Sequence, residues 1–137
     1  MFTESTVDNK HSIIIVEDDI DVSIILAGHF TLGKFKVYKT TNALECLDKL
    51  KELNNKVDAI LINGTIAADR GPMLIVNIRK LTLDVKIFAL AENENNKTRV
   101  LDYGADEFAA KPISPITVVE KIRMLLMKKP IESHQIS

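Results

Sequence analysis

Five short apolar runs recur along the chain, separated by stretches with helical spacing. The runs SIIIV (12–16), AILI (59–62) and VKIFAL (85–90) are near-continuous and rich in β-branched residues, as expected of strands covered on both faces. FKVYKT (35–40) and EFAAK (107–111) are shorter and more polar, which predicts strands nearer the edges of a sheet. Between them, NALECLDKLKEL offers Asn42 as N-cap, Glu45 in capping-box position, and Leu47, Leu50 and Leu53 at helical intervals. Leu74, Ile75, Ile78 and Leu81 mark another helix. Val119, Ile122 and Leu126 mark the last, with Ser114 as cap and Pro115 at its first position. Gly33 and Gly104 stand where the first and fourth helices should stop. The fourth helix, 93–103, has a polar opening and an apolar stripe of little more than Val100 and Leu101.

The order is β-α five times over, which predicts an α/β fold of flavodoxin-like type. Its elements form a doubly wound, five-stranded parallel (βα)5 sheet with helices on both faces and right-handed crossovers. The expected organisation is an N-terminal extension over 1–11, one domain over 12–127 and a polar tail over 128–137. In such sheets ligands and chemistry sit at the carboxyl ends of the strands. That rule selects EDD (17–19), NGT (63–65), AEN (91–93) and KP (111–112).

Composition narrows the function without naming it. The chain has 137 residues and 46% hydrophobic content, enough for one well-packed domain. A net charge of -1, from 18 Lys+Arg against 19 Asp+Glu, supplies no global field for nucleic acid or an acidic membrane. Single Cys46, among Leu44, Leu47 and Leu50, reads as a buried thiol. His11, His29 and His134 are too scattered for a zinc site. The N-terminus lacks an apolar signal core and no run spans a bilayer, so a soluble cytoplasmic protein is expected.

At the strand ends, the clustered carboxylates Glu17, Asp18 and Asp19 call for a cation, and Lys111 or a hard metal ion is the natural complement. Here the chain resembles the receiver domains of two-component response regulators. The resemblance rests on VED (16–18), DAILIN (58–63), DRG (69–71) and GADEFAAKP (104–112), and it covers 12–127. It implies that Glu17 and Asp18, with the Thr65 carbonyl, would hold Mg²⁺. Position 63 would be the aspartate phosphorylated by a histidine kinase, Lys111 would bind a phosphoryl oxygen, and Phe108 would be the aromatic switch. It also implies a cis Lys111-Pro112 bond.

Two departures from that pattern stand out. Asn63 occupies the acceptor position, and acyl-phosphate formation needs a carboxylate oxygen. Ala91 occupies the position of the switch Thr or Ser and has no hydroxyl to donate. With asparagine at 63 the pocket carries one net negative charge instead of two, so Mg²⁺ is needed less and Lys111 is expected to pair directly with the acidic residues. The Asn63-Gly64 pair is also an ordinary turn signal and a site open to deamidation, and Glu17 with Asp18 could simply favour the start of the first helix. Phe108 fits either a core or an interface role.

These features predict a stand-alone, degenerate receiver, not an enzyme, that signals by protein contact without phosphoryl transfer and requires no cofactor. Its partner, a kinase or another regulator, is expected on the face formed by the fourth helix, fifth strand and fifth helix, where a homodimer could also form. The alternative is a phosphoryl-accepting regulator using Asp58, Thr65 or Asp69, or an engineered Asp-to-Asn variant at 63. A small-ligand α/β domain of flavodoxin-like topology is disfavoured, because no glycine-rich loop follows the first strand and VEDDIDVS there would repel a phosphate.

Overall fold

The computed structural model describes residues 11–64 and 66–128, apart from the side chains of residues 68 and 69. Nearly all of the expected extension and tail, and Thr65, therefore lie outside the described residues. The strands are β1 (His11–Val16), β2 (Phe35–Thr40), β3 (Ala59–Asn63), β4 (Lys86–Ala91) and β5 (Glu107–Ala110). The helices are α1 (Ile20–Leu32), α2 (Ala43–Glu52), α3 (Gly71–Leu81), α4 (Lys97–Asp102) and α5 (Pro115–Met127). All strands pair in parallel in the order β2-β1-β3-β4-β5. The more polar runs are therefore the edge strands.

Alternation along the central strands divides the core in two. Ile14, Val16, Ile60, Ile62, Ile87 and Ala89 face α2, α3 and α4, where Cys46, Leu50, Leu74, Ile78 and Val100 complete the layer. Ile13, Ile15, Leu61, Phe88 and Leu90 face α1 and α5, packing with Leu26, Phe30, Val118 and Ile122. Burial leaves the Cys46 thiol free and pushes its pKa up to about 12.

The helix ends follow local chemistry. Asn42 caps α2 by accepting from the Glu45 N–H, while Glu45 reaches back to the Thr41 N–H, one residue before the cap. Ser114 caps α5 by accepting from the Thr117 N–H, and Pro115 follows. α1 ends at Gly33 as expected, yet the left-handed residue is Lys34, at φ 71.

The region after β4 corrects the expected fourth helix. Glu94–Asn96 form a 3-10 turn capped by the Asn93 side chain, and only Lys97–Asp102 are α-helical. The polar opening had too little apolar surface to anchor a longer helix. The loop expected around DRG contains a π-helical turn, Ile66–Arg70, seated between β3 and α3. The Lys111-Pro112 bond is cis.

Candidate functional site

β1 and β3 are neighbours, with Val16 opposite Ile62, so the residues that follow meet at the point where strand order reverses. Glu17 and Asn63 come together there, 3% and 1% exposed. The Asn63 amide Nδ2 donates to Glu17 Oε1, while Glu17 Oε2 accepts from the Asp19 N–H at 2.8 Å. The Glu17 N–H in turn donates to the Thr40 carbonyl at 3.0 Å, tying the loop to β2. Asn63 Oδ1 is buried without a hydrogen-bond partner.

Burial raises the Glu17 pKa above the usual carboxylate range, and the side chain and charge of Asp18 add to the rise. The Asp19 N–H and the Lys111 charge act in the opposite sense. Asp18 is exposed. Asp19 is the N-cap of α1, accepting from the Val22 N–H at 3.1 Å. Helix support at this strand end is thus supplied by Asp19, a role its place before the apolar run of α1 could have signalled.

Lys111 follows β5 and lies over the same pocket, but its ion pair is with Glu92, Nζ to Oε2 at 3.8 Å. This corrects the expected direct pairing of Lys111 with the acidic residues. Both Glu17 oxygens are already engaged, and Glu92 follows directly on β4, the strand beside β5. Lys111 and Asn63 also line a cavity of about 380 Å³ between α1 and α5, walled by Leu26, Leu90 and Val118.

Ala91 ends β4 with its methyl buried in the α3–α4 layer, and its carbonyl accepts from the Lys111 N–H at 2.8 Å. Phe108, beside Ala89 on β5, is half-buried against that same layer. Gly64 has φ +72, and its N–H is held by the Leu90 carbonyl at 2.9 Å. Deamidation requires that nitrogen to attack the Asn63 side chain, so both partners of the reaction are already committed.

A resident Mg²⁺ would find a weakened donor set here. Magnesium takes near-octahedral oxygen ligands, usually one or two carboxylates with several retained waters. Here Glu17 is engaged internally and position 63 is neutral, leaving exposed Asp18 and the unpartnered Asn63 Oδ1 as the free oxygen donors among the described residues. Among the described residues no group of three His, Cys, Asp or Glu side chains is placed to hold a metal ion.

Of the alternative acceptors, Asp58 precedes β3 and its carboxylate accepts from the Ser12 N–H at 2.8 Å, at the opposite end of the sheet. The Asp69 side chain lies outside the described residues. A second polar cluster, not anticipated from sequence, surrounds Arg79. Its guanidinium donates to the carbonyls of Gly104 and Val85 and to Asp106 Oδ2, which also accepts from the Ile87 N–H.

An acidic strand-end pocket with one lysine on a 2-1-3-4-5 parallel sheet defines the receiver class of α/β signalling domain. The response regulator receiver domain model matches residues 13–123, and the chain belongs to that family, a component of two-component signalling. The response regulator SaeR of Staphylococcus aureus (strain USA300) is 27% identical over 125 residues, covering 90% of this chain and 54% of SaeR. The chain thus spans about half the length of that relative. A putative response regulator from Chloroflexus aurantiacus J-10-fl superposes with a TM-score of 0.76 at 24% identity, covering 86% of this chain and 98% of the other. A two-component response regulator from Clostridium difficile gives 0.75 at 24% identity, covering 85% and 96%. Both likenesses establish the fold. No helix among the described residues is long and apolar enough to cross a membrane.

Proposed function

We propose that this receiver works by protein contact alone, without accepting a phosphoryl group at position 63 and without catalysing a reaction of its own. One observation carries the reading: the Asn63 amide is buried as a hydrogen-bond donor to Glu17. An active acceptor would present a carboxylate oxygen as nucleophile. The asparagine presents an N–H to the acidic residue beside it, neutralising locally what a second carboxylate would repel. Ala91 supports the same reading, since a buried methyl offers no donor to an arriving phosphoryl group.

On this reading the domain is a cytoplasmic module that rests in one conformational state, or is biased by whichever protein binds one state better. It needs neither Mg²⁺ nor direct contact with nucleic acid. The α4–β5–α5 face, with half-buried Phe108 and 44%-exposed Tyr103, is the surface for a signalling partner.

Incubation with acetyl phosphate and Mg²⁺ followed by intact-mass analysis tests the reading. The expected result is no phosphoryl adduct on wild type. An adduct mapped to Thr65 or Asp69 would establish the non-standard acceptor instead. Asn63→Asp is expected to lose the amide donor to Glu17, and adduct formation on that variant alone would show that position 63 decides the chemistry. The same spectra of aged wild type are expected to show no deamidation shift at the Asn63 peptide.

A further inference from the structure

α1 is apolar on both sides. Its inner face sends Leu26 and Phe30 into the core, yet Ile20, Ile24, Ile25 and Leu32 are 68%, 54%, 54% and 82% exposed. Ile20, Ile24, Gly28 and Leu32 recur every four residues and so form one ridge along the outside of the helix. Ile116 of α5, 59% exposed, lines a groove with His29 and Leu32 and extends the apolar surface beside it.

Gly28 is the odd member of the ridge. A mid-helix glycine is destabilising relative to alanine, and a Cβ built there meets nothing within 4 Å. Its φ is not left-handed and nothing inside this chain crowds it. The glycine instead leaves a shallow depression in the helix surface, bordered by Ile24, Ile25, His29 and Leu32. A small residue on an exposed helix lets another helix approach closely.

We propose that a second copy of this chain docks on α1, the two α1 helices running antiparallel about a two-fold axis level with residue 26. In that register Ile24 of each copy sits over Gly28 of the other, and Ile20 lies against Leu32. The interface is therefore self-complementary, as a closed dimer requires. Charge supports the same orientation. Exposed Asp18, Asp19 and Asp21 stand at the start of α1, and exposed Lys34 stands just past its end. Exposed Lys128 extends the basic end, because α5 is fixed to the end of α1 by the Arg123 bond to the Gly33 carbonyl at 2.8 Å. Antiparallel packing brings the acidic end of one copy to the basic end of the other, whereas parallel packing opposes like charges. The inference is independent of whether position 63 accepts a phosphoryl group, and it places self-association on α1 rather than on α4–β5–α5.

Sedimentation equilibrium of the full chain, with Ile24→Glu and Gly28→Leu, tests it. The expected result is a reversible wild-type dimer. Each two-fold-related pair of changes should weaken it roughly a hundredfold or more, with circular dichroism unchanged. Gly28→Leu is also expected to melt no lower than wild type in dilute solution, where both are monomers, because the leucine relieves the mid-helix glycine. A wild-type chain that stays monomeric at submillimolar concentration would overturn the proposal and assign the ridge to a different protein. A dimer that survives both substitutions would overturn it as well, placing the contact elsewhere.

Discussion

α1 and α4 both begin beside the carboxyl ends of the strands, on opposite faces of the sheet, and they are held by different means. α1 has 13 residues, a side-chain cap from Asp19, and Leu26 and Phe30 in the core, with apolar surface left over outside. α4 has six residues, no side-chain cap, and Val100 as its one buried residue. What secures the chain after α4 comes from a different helix: Arg79 of α3 holds the Gly104 carbonyl and Asp106. Gly104 itself, at φ +123, leaves the Arg79 stem just enough room, since a Cβ would stand 3.0 Å from its Cγ. Apolar burial therefore fixes the α1 side, and a polar clasp fixes the α4 side.

The strongest test of that contrast removes the aromatic anchor of α1. Phe30 is fully buried and meets Phe35 edge-on at 5.0 Å between ring centres. Phe30→Ala is expected to destabilise the domain by about 3–5 kcal/mol, read by urea unfolding. A loss below about 1 kcal/mol would mean that α1 is not anchored by this layer. Next comes Arg79→Ala, expected to cost about 1–3 kcal/mol, because it strands the Gly104 and Val85 carbonyls and removes the cation from Asp106. Hydrogen exchange should show α4 and β5 amides losing protection while α1 keeps it; uniform loss would break the comparison. Arg79→Lys should rescue little, since a single ammonium cannot reach carbonyls and carboxylate in the same fork.

The same two regions explain how far the sequence could be read. Near-continuous apolar runs such as SIIIV identify buried parallel strands, and local caps such as Asn42 and Ser114 are short-range signals, so sheet and well-capped helices were legible. The pocket was legible as a set of positions, because Glu17, Asn63, Ala91 and Lys111 each follow or end a strand. Their pairing was not. Whether Lys111 meets Glu17 or Glu92 depends on which acceptors are already filled, and Asn63 fills one of them. The Arg79 clasp was invisible for a related reason: it joins residues 25 and 27 positions apart through a backbone carbonyl and one carboxylate, which no local side-chain pattern records.

A smaller effect is expected where α1 begins. Asp19→Ala removes the side-chain acceptor for the Val22 N–H and should cost about 1 kcal/mol. Asp19→Asn should recover most of it, because an amide oxygen can accept the same bond. Failure of asparagine to rescue would mean that the charge at this helix start matters more than the cap.

Glu17→Gln is the finest probe, since it changes one atom at the junction between pocket and helix. The folded-state pKa of Glu17 is raised, chiefly by burial. The folded chain therefore binds the proton more tightly than the unfolded chain does. Stability from this group is fully present below the unfolded carboxylate pKa and is lost as pH rises through the folded one. Glutamine never ionises, but it keeps only one of the two acceptor oxygens and sets its own amide NH2 against either the Asn63 amide or the Asp19 N–H. The variant should be the less stable of the two at acidic pH, by the hydrogen bond it loses, and that gap should narrow as pH rises through the window just above the usual carboxylate range. Thermal unfolding at matched pH values reads the difference directly. If wild type instead gains on the variant as pH rises, the ionised Glu17 is the stabilising form, and the Asn63 amide and Lys111 together outweigh the cost of burying it.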